Sequence, residues 1–242
     1  MKVVIVILLI CINYGGFAQA KVEQVSQEKM LEVLDKLGSF YKITPTYKFD
    51  IIYYSYKGHK NLTPFESSIG FLVKSDKKIK SEVMGIETIQ FDDLVIMIQR
   101  NENKVMITNK QEENDVIKID ELKLGLKKVE QITKSVLGNI TTYYLNHRSY
   151  DAVYQTEIHL VNNERIEKIV FYFNKESEWQ TESGEVRKAK PRLEIWYKNF
   201  SEKLMPSDVQ FTIADYVQMQ KNTIQLNQKY RGYQLLDLRT KK

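Results

Sequence analysis

Three histidines, His59, His147 and His159, and two carboxylate pairs, Asp92-Asp93 and Glu112-Glu113, are the residues of this 242-residue chain best suited to acid–base or metal chemistry. Their spacing points to neither. No two histidines stand at metal-ligand spacing, and HExxH, CxxC, GxGxxG after a strand, GxxxxGK[ST] and GxSxG are all absent. His59 falls in a loop, His147 before a strand, and His159 within an alternating strand, where a surface or boundary position is expected. Neighbouring carboxylates point apart on a strand, whereas glycoside cleavage needs two carboxyls facing each other across about 5 to 9 Å. A serine hydrolase built from distant Ser, His and Asp residues would be assembled only by the fold. The expectation is therefore a protein with no catalytic residues, no metal and no cofactor, which binds rather than transforms. An exported hydrolase without a recognisable motif stands as the third reading.

The only cysteine, Cys11, lies in an N-terminal segment with its own signature. Lys2 supplies a positive start, Val3 to Ile12 an apolar stretch, and Ala18-Gln19-Ala20 a small-x-small cleavage pattern. Residues 1–20 read as a secretory signal peptide, too short to span a bilayer, which takes about 20 mainly apolar residues. Cleavage after Ala20 leaves a chain without thiols, so the exported protein has no disulfide framework and relies on a hydrophobic core. Lipidation of Cys11 is the minor alternative, and Ile10 before it is not the small residue that such processing prefers. No later run is apolar enough for a transmembrane segment. Lysine and arginine number 36 against 31 acidic residues, interleaved along the chain, which is a solvated surface and not a nucleic-acid footprint. Without a Pro- or Gly/Ser-rich linker, residues 21–242 read as one domain.

The elements follow from periodicity. Val22, Val25, Met30, Val33, Leu34, Leu37 and Phe40 recur at helical spacing, with Gly38 and Pro45 marking the stop. Tyr47, Phe49, Ile51 and Tyr53 then alternate along a strand, and hairpins follow around Ser75-Asp76-Lys77 and Asn101-Glu102-Asn103. Leu122, Leu126, Val129, Ile132 and Val136 fit a second helix ended by Gly138. Tyr154 to Leu160, the Asn162-Asn163 turn and Ile166 to Phe173 form another hairpin, and Pro191 introduces a strand through Tyr197. Residues 213–230 fit a third helix before a last strand from Tyr233 to Leu238. The layout is α+β, with roughly eight to ten antiparallel strands.

Leu94 to Ile98 and Ile169 to Phe173 are apolar on both faces, so both faces are covered or line a hollow. Candidates for lining such a hollow are Phe49, Ile51, Tyr53, Phe71, Ile96, Ile98, Phe171 and Phe173; each would look the same as plain core.

Gly70-Phe71-Leu72-Val73-Lys74 with the basic turn after it, then Phe91-Asp92-Asp93, Ile96-Met97-Ile98 and Asn101 to Val105, together resemble the periplasmic lipoprotein carriers of the LolA/LolB-like superfamily. The resemblance implies a large curved antiparallel sheet, an open half-barrel, with helices packed against its concave face. It also implies a periplasmic, Gram-negative setting and a lipid or lipoprotein acyl chain as the apolar ligand. An envelope module that binds another protein is the alternative.

Overall fold

The computed structural model describes residues 22–110, 117, 119–181, 183–220 and 223–239. The segment expected to be a signal peptide, Cys11 within it, and Glu112-Glu113 lie outside the described residues.

One open sheet of 13 strands organises the molecule. Strands β2 (Thr46–Tyr56), β3 (Glu66–Ser75), β4 (Lys78–Val83), β5 (Ile86–Gln90), β6 (Leu94–Gln99) and β7 (Lys104–Asn109) form one antiparallel meander. Strands β8 (Val129–Leu137), β9 (Ile140–His147), β10 (Val153–Val161) and β11 (Arg165–Phe173) form a second. Between β11 and β2 lies β14 (Arg192–Ser201), which joins the two. The edges are the three-residue β1 (Glu23–Val25) beside β8 and the short β17 (Gln234–Asp237), which pairs parallel to β7. Short edges of this kind limit further strand addition. A separate two-stranded hairpin, β12 (Ser177–Gln180) with β13 (Val186–Ala189), occupies the polar stretch before Pro191.

Helix α1 (Gln27–Ile43) lies across one face. It starts later than its apolar spacing suggests, because Val22 and Val25 belong to the edge strand and its approach. Ser26 is the N-cap and accepts the Lys29 N–H at 3.1 Å. Gly38 does not end it; the missing side chain brings Ile119 of α2 (Ile119–Leu126) against the helix, and the stop comes at Thr44 before Pro45. At its start Gln27 donates to the Leu126 and Val129 carbonyls. At its end the buried Lys74 ammonium donates to the carbonyls of Tyr41, Lys42 and Thr44 at 2.8 to 2.9 Å. A cation there satisfies acceptors that a helix C-terminus leaves open. The helix thus runs over the strands from β8 to β3.

Two of the expected helices are different elements. The second ends at Leu126, and Val129, Ile132 and Val136 continue as β8, with Gly138 in the left-handed turn to β9 at φ 60°. Positions three and four apart fit a helix, yet here pairing with β9 decides the backbone. Within residues 213–230, β15 (Val217–Gln220) pairs antiparallel with β16 (Thr223–Leu226), between two single 3₁₀ turns. Tyr216, Val217 and Tyr230 are thereby brought down together on the sheet.

Antiparallel register carries a side chain's face from strand to strand, and following it shows two cores on opposite faces. Phe49 stands beside Leu72, and Leu72 beside Ser81, on the face that α1 covers. Lys48 stands beside Val73, Val73 beside Lys80, Lys80 beside Ile89, and Ile89 beside Ile96, on the reverse. The first cluster packs Met30, Leu34 and Leu37 of α1 onto Tyr47, Phe49, Ile51, Leu145, Ile158 and Ile169. The second packs Phe211, Tyr216, Val217 and Tyr230 onto Ile89, Ile96, Ile98, Val105 and Ile107. The chain reaches that reverse face through the single turn α3 (Pro206–Val209), where Asp208 pairs with Lys48 at 2.8 Å. The sheet is open and mainly antiparallel, with the two longer helices, α1 and α2, on one face, as the α+β reading expects.

Candidate functional site

Helix α1 ends over the Tyr47 end of β2, and the strands continue past it. On the same face, toward the other end of β14, β2 and β3, lies a cleft of about 480 Å³ lined by Tyr53, Ser55, Glu66, Ser67, Ser68, Met84 and Leu193. Its origin is local. Tyr53 stands in register with Ser68 and Ser55 with Glu66, so small side chains occupy positions where neighbouring rows carry aromatics. Strand β4 also leaves β3 early: their register begins at Phe71, and Glu66 to Gly70 pair only with β2. Gly70 permits the departure, since a Cβ there would lie 2.0 Å from the Glu82 carbonyl oxygen. The notch left behind is the cleft wall, and Met84 closes it in a left-handed turn at φ 50°.

Met84 of the cleft lining is exposed, as are Phe65, which precedes Glu66 in the chain, Leu62 in the loop before it, and Val186 of the β12–β13 hairpin. The Lys57 ammonium lies 3.8 Å from the Phe65 ring centre and 5.2 Å from that of Trp179, which ties loop and hairpin together. Burial pushes the Tyr53 phenol up, so it enters the cleft wall as a neutral group.

The eight residues predicted to line a hollow do not gather at one place. Tyr53 lines the cleft, and Phe171 packs on the same face against the first cluster. Phe173, two residues on, is half-buried opposite Val153. Phe49 and Ile51 lie under α1 as part of the core. Phe71 stands beside Asp50 on the reverse face, in a charged crevice of about 530 Å³ with Lys48, Lys80 and Asp208. Ile96 and Ile98 are wholly buried in the second cluster. A single register step separates the faces, and the distinction requires counting pairs across five strands. The prediction missed Ser55, Ser68, Met84 and Leu193, whose signal is a deficit of volume beside Tyr53.

The histidines form polar strings elsewhere. The Thr142 hydroxyl lies 3.0 Å from His159 Nδ1, and His159 Nε2 lies 3.0 Å from Glu157, which also accepts the Tyr172 hydroxyl at 2.9 Å. Burial pushes the Glu157 carboxyl up, but the hydrogen bonds from His159 and Tyr172 outweigh it and hold it below the usual carboxylate range. Burial and the Glu157 charge push the Tyr172 phenol up. A hydroxyl, an imidazole and a carboxylate in line can move a proton. Here they sit on the reverse face of β9 and β10, interior strands whose backbone amides face a neighbour on each side, while acyl transfer needs free donors for the oxyanion. His147 lies 2.9 Å from the Thr156 hydroxyl, and burial lowers its pKa. His59 lies 3.0 Å from the Phe173 carbonyl, and burial lowers its pKa too. Among the described residues no three His, Cys, Asp or Glu side chains gather as a metal site, and no described helix is long and apolar enough to cross a membrane.

Searches against family models and curated proteins find no match to this chain. Among solved structures it is similar to an uncharacterised conserved protein from Thermus thermophilus, at 12% identity and a TM-score of 0.41, covering 86% of this chain and 98% of that one. A LolA superfamily protein from Nitrosomonas europaea is 8% identical at a TM-score of 0.28, over 75% of this chain and 97% of that one. A DUF1329 family protein from Desulfovibrio piger is 10% identical at 0.25, over 76% and 95%. Likenesses this distant transfer neither ligand nor residue roles, and the function below rests on the cleft itself.

Proposed function

We propose that this chain is an exported, non-catalytic carrier or binding protein that holds the apolar part of a lipid, such as an acyl chain, in the cleft beside Tyr53. The observation that carries it is a cleft of about 480 Å³ on the α1 face, walled by Tyr53, Leu193 and the exposed Met84. Ligand pockets begin near 300 Å³, and an acyl chain gains about 0.8 kcal/mol for each methylene it buries. The N-terminal signal sequence supports the same reading, since an exported protein meets lipids that water does not dissolve. Ser68→Trp fills the cleft from a half-exposed strand position. The expected result is at least a tenfold loss in uptake of a fluorescent fatty acid, with an unchanged melting temperature. Undiminished uptake by that variant, together with protein from its own envelope carrying no lipid in native mass spectrometry, discards the reading.

A second reading follows from the one-sided pairing of Glu66 to Gly70. An extended segment of an envelope protein could add to that edge by backbone hydrogen bonds. Cross-linking in intact envelopes separates the two, because a stoichiometric protein adduct at Ser67 with a lipid-free cleft favours the second.

A further inference from the structure

A smaller cavity, of about 260 Å³, lies at the opposite end of β14 from the cleft, between the last turn of α1 and the turn joining β10 to β11. Its walls are aromatic. Tyr41, Phe49, Tyr197 and Phe200 line it, with the Phe49 and Tyr197 rings edge to face at 5.5 Å. Its charges are unequal. Lys198 is neutralised by Glu167 at 2.9 Å, whereas Arg165 lies over the Phe200 ring at 4.9 Å and has no carboxylate partner among the described residues.

Hydrogen-bond donors face the same space. The Tyr41 hydroxyl oxygen accepts the Ile166 N–H at 3.0 Å, which leaves its own hydrogen to donate. Burial pushes that phenol up to about 12, so the hydrogen stays on the oxygen at neutral pH. The Tyr197 hydroxyl has no hydrogen-bond partner among the described residues, and burial pushes it up too. A guanidinium and two phenols without matching acceptors, set in an aromatic wall, call for an anion. A half-enclosed cation gains most from a counterion that also hydrogen-bonds.

We propose that this cavity binds a small anionic amphiphile, its carboxylate or phosphate held by Arg165 and the Tyr41 and Tyr197 hydroxyls, its apolar body against Phe49 and Phe200. The site shares no lining residue with the Tyr53 cleft and does not rest on the carrier reading. Calorimetric titration of the full chain at low salt with octanoate, octyl phosphate and octanol tests it. A charge-assisted hydrogen bond makes the anions bind at least about tenfold more tightly than the alcohol. The preference narrows in 0.5 M salt, where surface charges are screened. Whichever anion binds more tightly identifies the headgroup.

Arg165→Gln removes the preference while octanol binding stays, and Arg165→Lys restores part of it, because the charge returns without the planar fork. Ser68→Trp leaves the preference for octanoate over octanol intact. Octanol binding as tightly as octanoate in the unaltered protein overturns the proposal without recourse to any variant. So does a preference that survives Arg165→Gln, or one that Ser68→Trp abolishes. If the preference is absent while Ser68→Trp still blocks fatty-acid uptake, this site falls and the cleft reading stands.

Discussion

The two apolar clusters of the sheet are covered by different kinds of chain. Over β2, β8 to β11 and β14 the cover is a regular helix of 17 residues, and the strands beneath it extend past its end. The Tyr53 cleft opens beyond α1, and the Arg165 cavity lies beside its last turn. Over β5 to β7 the cover is an irregular segment with a short hairpin, which fits its tyrosines to the strands one by one. Tyr216 stacks on Tyr230 with ring centres 6.2 Å apart, and the buried Glu87 beneath holds Lys80 at 3.2 Å and Arg100 at 2.5 Å. Tyr230 is buried so completely that its hydroxyl has no partner among the described residues.

The sharpest way to break this comparison is to open an equal hole in each cluster. Leu34 and Ile107 are both fully buried, and Leu34→Ala or Ile107→Ala should each cost about 2–5 kcal/mol in urea denaturation. The consequences for binding should differ. Leu34→Ala loosens α1 and changes fatty-acid uptake by the folded protein, whereas Ile107→Ala leaves uptake per folded molecule as it was. Equal effects on uptake would show that the two covers are not independent.

How much of this was legible beforehand depended on whether a pattern was local. The alternation of Tyr47, Phe49, Ile51 and Tyr53 and the paired asparagines at 162 and 163, both in the left-handed region at φ 53° and 57°, were readable from the residues alone. The reversal of faces was not, because Phe49 and Ile96 differ only in the parity of a count that runs through four intervening registers. Nor was β8, since Val129, Ile132 and Val136 fit a helix until β9 is placed beside them. The cleft escaped notice because serines at 55 and 68 mean nothing until they stand beside Tyr53.

The end of α1 offers a second, somewhat smaller test. Lys74→Met keeps the length of the side chain and removes the ammonium that holds the Tyr41, Lys42 and Thr44 carbonyls. Leaving buried acceptors unpaired should cost about 3 kcal/mol. Because Tyr41 lines the Arg165 cavity, the same variant should weaken octanoate binding more than it weakens uptake in the Tyr53 cleft. Parallel denaturation and titration series check both statements.

The smallest expected effect belongs to the reverse face of β9 to β11, behind the first cluster, where Glu157 joins His159 and Tyr172. Lys168 also favours its charged form. The Glu157 carboxyl is held below its unfolded value, near 4.5, so the folded state binds this proton less readily than the unfolded state does. Its contribution to stability is therefore complete above about pH 4.5 and is lost as the pH falls through the lower folded value. The carboxyl is partly open to solvent, which screens the interaction and keeps the change small. Glu157→Gln retains an acceptor for Tyr172 without a titrating group, so it should remove this part of the slope of stability against pH on the acid side of pH 4.5 and leave fatty-acid uptake unchanged. A variant with the full acid slope would place the loss of stability in other carboxylates. Altered uptake would mean that this face communicates with the cleft through β14, which lies between β11 and β2.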